Sequence, residues 1–313
     1  MKQSTFVGFI DFAKAFDTVW RDALLLKLSN MGVKGKMLRM IRALYGDTKA
    51  SVRVNGELTE VFSTLQGVRQ GGVLSPTLFL VFINDLIEAL RAKQIGVMVP
   101  GFEGDNVFSR GPNNLPGLLW ADDVVILAET EEQLREAFSV VDDWCLNWGM
   151  SVNSKKSNVM LVGPVPSSAL ISIERIAANK PFTLGGGNVS PTKVYKYLGM
   201  QLSYDLSWGG AVAARCAAVR HSIFAQGPIL RNNAITVDLR RHFFDSVVTP
   251  VALWGCELWA HDEAKCNKVE RALGPGLRML LNMPARTNVT ALLWELGTPP
   301  LRVKVAARRL RLL

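Results

Sequence analysis

Three acids sit directly against apolar β-type sequence, and that placement constrains the fold more than any other feature of the chain. Residues 5–10 are apolar, short and partly β-branched or aromatic, the pattern of a buried strand, and they run straight into Asp11. Residues 118–120 and 124–127 bracket Ala121-Asp122-Asp123 in the same way, as the arms of a hairpin with the acids at its tip. Removing a carboxylate from water costs several kcal/mol unless something pairs with it. A divalent cation is the natural partner. On its own, Asp122-Asp123 reads more readily as a plain polar turn, where Asp is common. A regular strand would send the two side chains to opposite faces, so only turn geometry lets both serve one site.

Around these acids the elements alternate. Helices are predicted over about 22–30 and 36–45, stopped by Gly32 and Gly46. Residues 51–54 and 58–62 flank Asn55-Gly56, the strongest short hairpin signal present. Ser75-Pro76 opens an apolar helix to Ala92, with Ser as N-cap and Pro first inside. Residues 96–117, rich in Gly and Pro, are predicted to form an exposed loop. Thr130 and Gln133 form a capping box for a helix whose stripe is Leu134, Phe138, Val141, Cys145 and Trp148, ended by Gly149. Further strands are predicted at 159–162, 182–184 and 195–198, the last two joined by a glycine-rich turn. Beyond Ser203 the pattern becomes helical, broken at Gly227-Pro228, Pro250, Gly274-Pro275, Pro284 and Pro299-Pro300. Mixed elements followed by helices predict an α+β domain and then a helical one.

At 313 residues the chain exceeds the usual size of one domain. Its formal charge of +9 points to an acidic polymer as partner. The surplus is uneven: residues 1–203 carry 21 Lys and Arg against 19 acids, residues 204–313 carry 15 against 8. The C-terminal third is the better candidate for gripping phosphates. Cys145, Cys216, Cys256 and Cys266 lack paired spacing and read as reduced thiols of an intracellular protein. Cys256, His261 and Cys266 want a fourth ligand, so a zinc site is not expected there. No apolar run reaches the length of a membrane span.

Five segments carry a family resemblance. Phe9-Ile10-Asp11-Phe12-Ala13-Lys14-Ala15-Phe16-Asp17 resembles the first palm motif of reverse transcriptases of non-LTR, LINE-like retrotransposons. Residues 67–76, from Gly67-Val68-Arg69-Gln70-Gly71 to Ser75-Pro76, resemble the second. Trp120-Ala121-Asp122-Asp123 is similar to the third, with Trp where the family mostly has Tyr. Asn153, Lys156 and Ser157 match the fourth, and Tyr197-Leu198-Gly199 the fifth, the primer grip. Together they cover residues 6–199 in the family's order. The stretch 253–259 resembles the thumb with lower specificity, and Phe82-Ile83-Asn84-Asp85-Leu86 looks more like the LINE side than telomerase or group II intron proteins.

The resemblance implies a polymerase palm, an antiparallel sheet with packed helices, over residues 1–203 with partial fingers. A mainly helical thumb-like and connection region follows over 204–313. It implies RNA-templated addition of deoxynucleotides to a DNA primer by two-metal phosphoryl transfer, for retrotransposition. Asp11, Asp122 and Asp123 would hold two Mg²⁺ ions, or Mn²⁺. Lys156 would donate a proton to, or neutralise, the leaving pyrophosphate; otherwise it is a solvated lysine. Phe12, Phe16, Gln70 and Gly71 fall at nucleotide-contacting positions, Phe16 as a steric gate against a 2′-hydroxyl and Gly71 as a point of close backbone approach; the plain alternatives are a core Phe and a turn. Arg308, Arg309 and Arg311 are the densest basic cluster for the nucleic-acid backbone, although a solvated helix face accounts for them almost as well. The expected partners are an RNA template, a DNA primer and deoxynucleoside triphosphates, without a membrane, in the nucleus or a ribonucleoprotein particle. The chain starts almost on the first motif, so a fragment of a larger element-encoded protein is expected. The contrasting expectation is a catalytically incompetent remnant that only binds nucleic acid.

Overall fold

The structure, a computed structural model, describes residues 4–99, 114–163 and 167–311, with the side chains of 167–172 left aside. Its first compact unit is Met1–Lys193 and its second Val194–Leu313. The first opens on β1 (Thr5–Asp11), α1 (Arg21–Asn30) and α2 (Gly35–Gly46). Short strands follow: β2 (Lys49–Ala50), β3 (Arg53–Val54), β4 (Glu57–Leu58) and β5 (Phe62–Ser63). Next come α3 (Ser75–Ala92), β6 (Val97–Met98), β7 (Asn114–Leu115), β8 (Gly117–Trp120), β9 (Asp123–Ala128) and α4 (Glu131–Trp148). The unit ends with β10 (Asn158–Val162), α5 (Ser167–Asn179), β11 (Phe182–Leu184) and β12 (Gly187–Pro191).

Among the described residues, six strands pair in the order β11-β12-β10-β1-β9-β8. β1 lies antiparallel between β10 and β9, while β10 and β12 are parallel. That central place explains why residues 7–10 are all buried. One face of the sheet presents Ile10, Val124, Ile126, Val159 and Leu161 to a core completed by Phe79, Phe82 and Leu86 of α3 and Leu134 and Phe138 of α4. Gly8 of β1 faces α4, and a Cβ there would come within 2.7 Å of the Phe138 ring, so glycine sets how closely helix and strand approach. α4 starts as its sequence dictates: the Thr130 hydroxyl accepts from the Gln133 N–H, while Gln133 reaches back to the Glu129 N–H.

Several local expectations need correction. Ser75 does not cap α3; it is the first helical residue, and its hydroxyl donates to the Arg69 carbonyl. The Asn55-Gly56 hairpin is split, with β3 pairing β4 at the tip and β2 pairing β5 at the base. The loop expected over 96–117 is closed at its ends by β6 on β7 and lies otherwise mostly outside the described residues. The glycine-rich turn after β11 leads into β12, an unforeseen strand. α5 is a second unforeseen element, although Leu170, Ile173, Ile176 and Ala177 recur at helical spacing.

The second unit begins with the hairpin β13 (Val194–Tyr197) and β14 (Met200–Ser203). It continues through α6 (Gly209–Leu230), α7 (Val237–Val247), α8 (Thr249–Leu253) and α9 (Cys256–Trp259). α10 (Glu263–Leu281), α11 (Val289–Glu295) and α12 (Leu301–Leu310) complete it. Met200 of β14 belongs to the same core as Val212, Val219, Trp259, Val269 and Leu277. The hairpin therefore groups with the helices rather than with the large sheet. Two expected breaks are absent: α6 runs through Pro228 and α10 through Pro275. Each proline follows a glycine, whose missing Cβ eases the crowding of the residue before proline. The lost hydrogen bond and the crowding of the carbonyl four residues back remain. Both helices are held by the packing of core residues on either side of the proline, Ile223 and Leu230 in α6, Leu273 and Leu277 in α10. Pro250, Pro284 and Pro299-Pro300 do lie at or between helix ends.

Candidate active site

The carboxylates meet through strand register. Asp11, the last residue of β1, lies directly opposite Asp123, the first residue of β9, which lies opposite Trp120 on β8. Directly opposed antiparallel residues project to the same face. Trp120, Asp123 and Asp11 thus form a row across three strands, on the face carrying Phe9 and Val125 rather than the face that meets α4. The hairpin tip is Ala121-Asp122, with Ala121 at φ +52°, and not Asp122-Asp123 as expected. Asp123 is a strand residue, and Asp122 reaches the row from the turn. Asp11 and Asp123 are half-buried and Asp122 is exposed. Desolvation is therefore milder than the sequence implied.

Electrostatics ties the three together. Burial, then the neighbouring Asp122 and Asp11, raises the Asp123 carboxyl above the ordinary aspartate range. Among the described residues, no three acids, histidines or cysteines converge as a ready-made metal cluster. Such convergence is not what magnesium asks for, since one or two carboxylates with substrate phosphates and water usually suffice. A hard, all-oxygen donor set with mutual repulsion fits a divalent cation.

The segment containing Lys156 is fastened to the first aspartate. The Asp11 carbonyl accepts from the Asn153 N–H at 2.8 Å, and the Asp11 N–H donates to Ser157 Oγ at 3.1 Å. Ser157 is fully buried and donates in turn to the Asn153 carbonyl at 2.9 Å. Lys156 is exposed beside this clamp. Ser157, read from sequence only as a motif match, fixes the end of β1.

The second group forms around the turn after β1. Phe16 stacks on Phe79 at 4.8 Å between centroids, with its carbonyl accepting from the Val68 N–H at 2.8 Å. Gln70 donates to the Asp17 carboxylate at 2.9 Å. That gives Asp17 a partner the sequence left unassigned. Gly71 adopts φ +76° with open space where a Cβ would stand, while Gly67 packs closely within the protein, where a Cβ would lie 2.8 Å from the Asp17 carbonyl. Phe12 departs from expectation. Its ring is buried against Trp144 at 6.0 Å, so it offers no side chain to a nucleotide. Trp120, the aromatic that opens the third motif, is 65% exposed next to the acids.

In the second unit, Tyr197, Leu198 and Gly199 form the end and turn of the β13–β14 hairpin. The Leu198 carbonyl accepts from Trp254 Nε1 at 3.1 Å and the Gly199 carbonyl from Arg215 at 3.3 Å. Arg308 is engaged internally, donating to the Leu253 carbonyl at 3.1 Å and lying 3.9 Å from Glu257. Arg309 and Arg311 differ in that both are exposed to solvent, whereas Arg308 is half-buried. The basic cluster thus divides between solvent-facing side chains and one structural one.

A family profile described as reverse transcriptase (RNA-dependent DNA polymerase) matches residues 1–202. The RNA-directed DNA polymerase from mobile element jockey of Drosophila funebris is 22% identical over 306 residues, covering 95% of this chain. The retrovirus-related Pol polyprotein from type-1 retrotransposable element R2 of Popillia japonica is 27% identical over 199 residues, covering 62%. The chain spans 30% of the length of each of these relatives. A solved telomerase from Candida albicans aligns with 97% of this chain and 44% of its own, at 10% identity and a TM-score of 0.46, a likeness too slight to bear weight. On the family match over its first 202 residues, the chain belongs to the reverse transcriptases (RNA-dependent DNA polymerases), of the kind found in non-LTR, LINE-like mobile elements.

Proposed function

We propose that the chain carries the nucleotidyl-transfer centre of an RNA-directed DNA polymerase serving retrotransposition. The first unit would act as palm with partial fingers and the second as a thumb-like grip. The observation that carries this is the register of β1 against β9, which sets Asp11 opposite Asp123 with Asp122 in the adjoining turn. In the reaction the primer 3′-hydroxyl attacks the α-phosphorus of a deoxynucleoside triphosphate. A new phosphodiester bond forms while the bond to the β-phosphate oxygen breaks. Two bound Mg²⁺ ions, or Mn²⁺, would stabilise charge on the attacking and leaving oxygens. Asp11, Asp122 and Asp123 would hold them. Lys156, exposed next to the clamp on Asp11, would give a proton to the departing pyrophosphate or offset its charge. Phe16 would press on the sugar, and Gln70 with Gly71 would line the nucleotide's other side. Tyr197, Leu198 and Gly199 would seat the primer, and Arg309 and Arg311 would hold backbone phosphates of the primer–RNA duplex. Work in the nucleus or in a ribonucleoprotein particle follows from the same reading.

Extension of a DNA primer on an RNA template, in Mg²⁺, tests it. The wild-type chain is expected to incorporate deoxynucleotides, and Asp122→Ala to lose at least about a hundredfold. Equal incorporation by both would remove Asp122 from the chemistry. Salt-sensitive binding without incorporation by the wild type would favour a nucleic-acid-binding remnant.

A further inference from the structure

Arg21, at the start of α1, belongs to none of the groups above, yet its guanidinium is used on every side. Nε donates to the Gly67 carbonyl at 2.9 Å and Nη2 to the Gln66 carbonyl at 2.9 Å. Nη1 donates to the Thr64 carbonyl and Thr48 Oγ1, both at 2.6 Å, and to the Tyr45 carbonyl at 3.2 Å. One side chain therefore joins the end of α2, the residue before β2 and the stretch leading from β5 into the Gln70 loop. Its electrostatic neighbours are the Tyr45 ring, 5.4 Å away, and Arg69, and among the described residues no carboxylate forms an ion pair with it. A half-buried charge satisfied by carbonyl oxygens is bound through geometry rather than through ion pairing.

The loop so held is also fixed from the other side. The Gly67 N–H donates to the Val19 carbonyl at 2.9 Å, the Val68 N–H to that of Phe16 at 2.8 Å, and Gln70 to Asp17 at 2.9 Å. Gly67 fits only because it lacks a Cβ. Resting on the polymerase reading above, we infer that Arg21 is a positioning residue for the nucleotide-facing loop: it fixes Gln66-Gly67, and through them Gln70, without touching nucleotide. The planar fork presents five N–H donors at fixed angles, whereas a lysine ammonium has three on one nitrogen and cannot span these segments. Arg21→Lys therefore keeps the charge and loses the hold.

Wild type, Arg21→Lys and Arg21→Gln of the full chain separate the possibilities through two readouts. Amide exchange across 64–72 is expected to accelerate about tenfold or more in both variants, with β1 and α4 unchanged. In primer extension on an RNA template, KM for the deoxynucleotide is expected to rise about tenfold with kcat within roughly threefold, because the carboxylates are untouched. Wild-type exchange and KM in Arg21→Lys would overturn the inference, since charge alone would then suffice. Acceleration spread equally through β1 and α4 would overturn it too, by making Arg21 a general stabiliser. If the wild type incorporates nothing, the polymerase reading fails. The exchange readout then still decides whether Arg21 holds the loop.

Discussion

Asp123 shows how the site's chemistry depends on neighbours rather than on the residue itself. Its carboxyl is raised by burial first and then by Asp122 and Asp11. A raised acid binds its proton more readily folded than unfolded, so this contribution to stability is present below the ordinary aspartate pKa and is lost as pH rises through the raised one. Without metal at neutral pH, Asp123→Asn is therefore expected to unfold at a higher temperature than wild type, and calorimetry with chelator checks the sign. A cation must displace the proton, so cation affinity should fall on acidification at a higher pH than for an isolated aspartate. The presence of Asp11, Asp122 and Asp123 was legible from the sequence. Their arrangement was not, because the turn could close on Asp122-Asp123 or on Ala121-Asp122, and only pairing with β1 decides. Phe12 misled for a related reason: side chains alternate along β1 and just beyond it, so the neighbour of a catalytic position points into the core.

At the scale of elements, the helices under the sheet are joined by a buried charge that no motif announced. Lys27 of α1, buried, donates to the Phe82 carbonyl at 2.6 Å and to Asp85 at 2.8 Å, and Trp144 of α4 donates to the same carboxylate at 2.8 Å. The ammonium also sits 3.7 Å from the centroid of Trp148. Burial, opposed by Asp85, lowers its pKa to about 8 from 10.5. The unfolded chain then holds this proton where the native one has released it, so stability contributed at this site should rise with pH between about 8 and 10.5. Lys27→Met is expected to cost roughly 1–3 kcal/mol and to remove that rise, as urea midpoints at pH values either side of the window would show. Periodicity and caps made α4 readable almost to the residue. The glycine-proline pairs did not read correctly, because tertiary packing outweighs proline's local cost in both helices. β12 is short, and α5 went unforeseen although Leu170, Ile173, Ile176 and Ala177 recur at helical spacing.

For the whole molecule, the surplus of positive charge lies beyond residue 203, in agreement with a backbone-gripping role proposed for that region. If Arg309 and Arg311 meet phosphates, replacing both by Ala should weaken binding of a primer–RNA duplex. The slope of log affinity against log salt should shrink by about one for each phosphate no longer neutralised. Arg308→Ala should leave that slope nearly unchanged and lower thermal stability instead, because Arg308 is committed to the Leu253 carbonyl. No described helix is long and apolar enough to cross a membrane. The proposed chemistry stands or falls on Asp11, Asp122 and Asp123 forming one divalent-cation site. Titration of the chain with Mn²⁺, followed by loss of the free-ion paramagnetic resonance signal, reads that site without relying on catalysis. Saturable binding is expected, weakening about tenfold or more in Asp11→Asn and in Asp122→Asn. Undiminished Mn²⁺ binding in both variants would show that these carboxylates do not hold the cation.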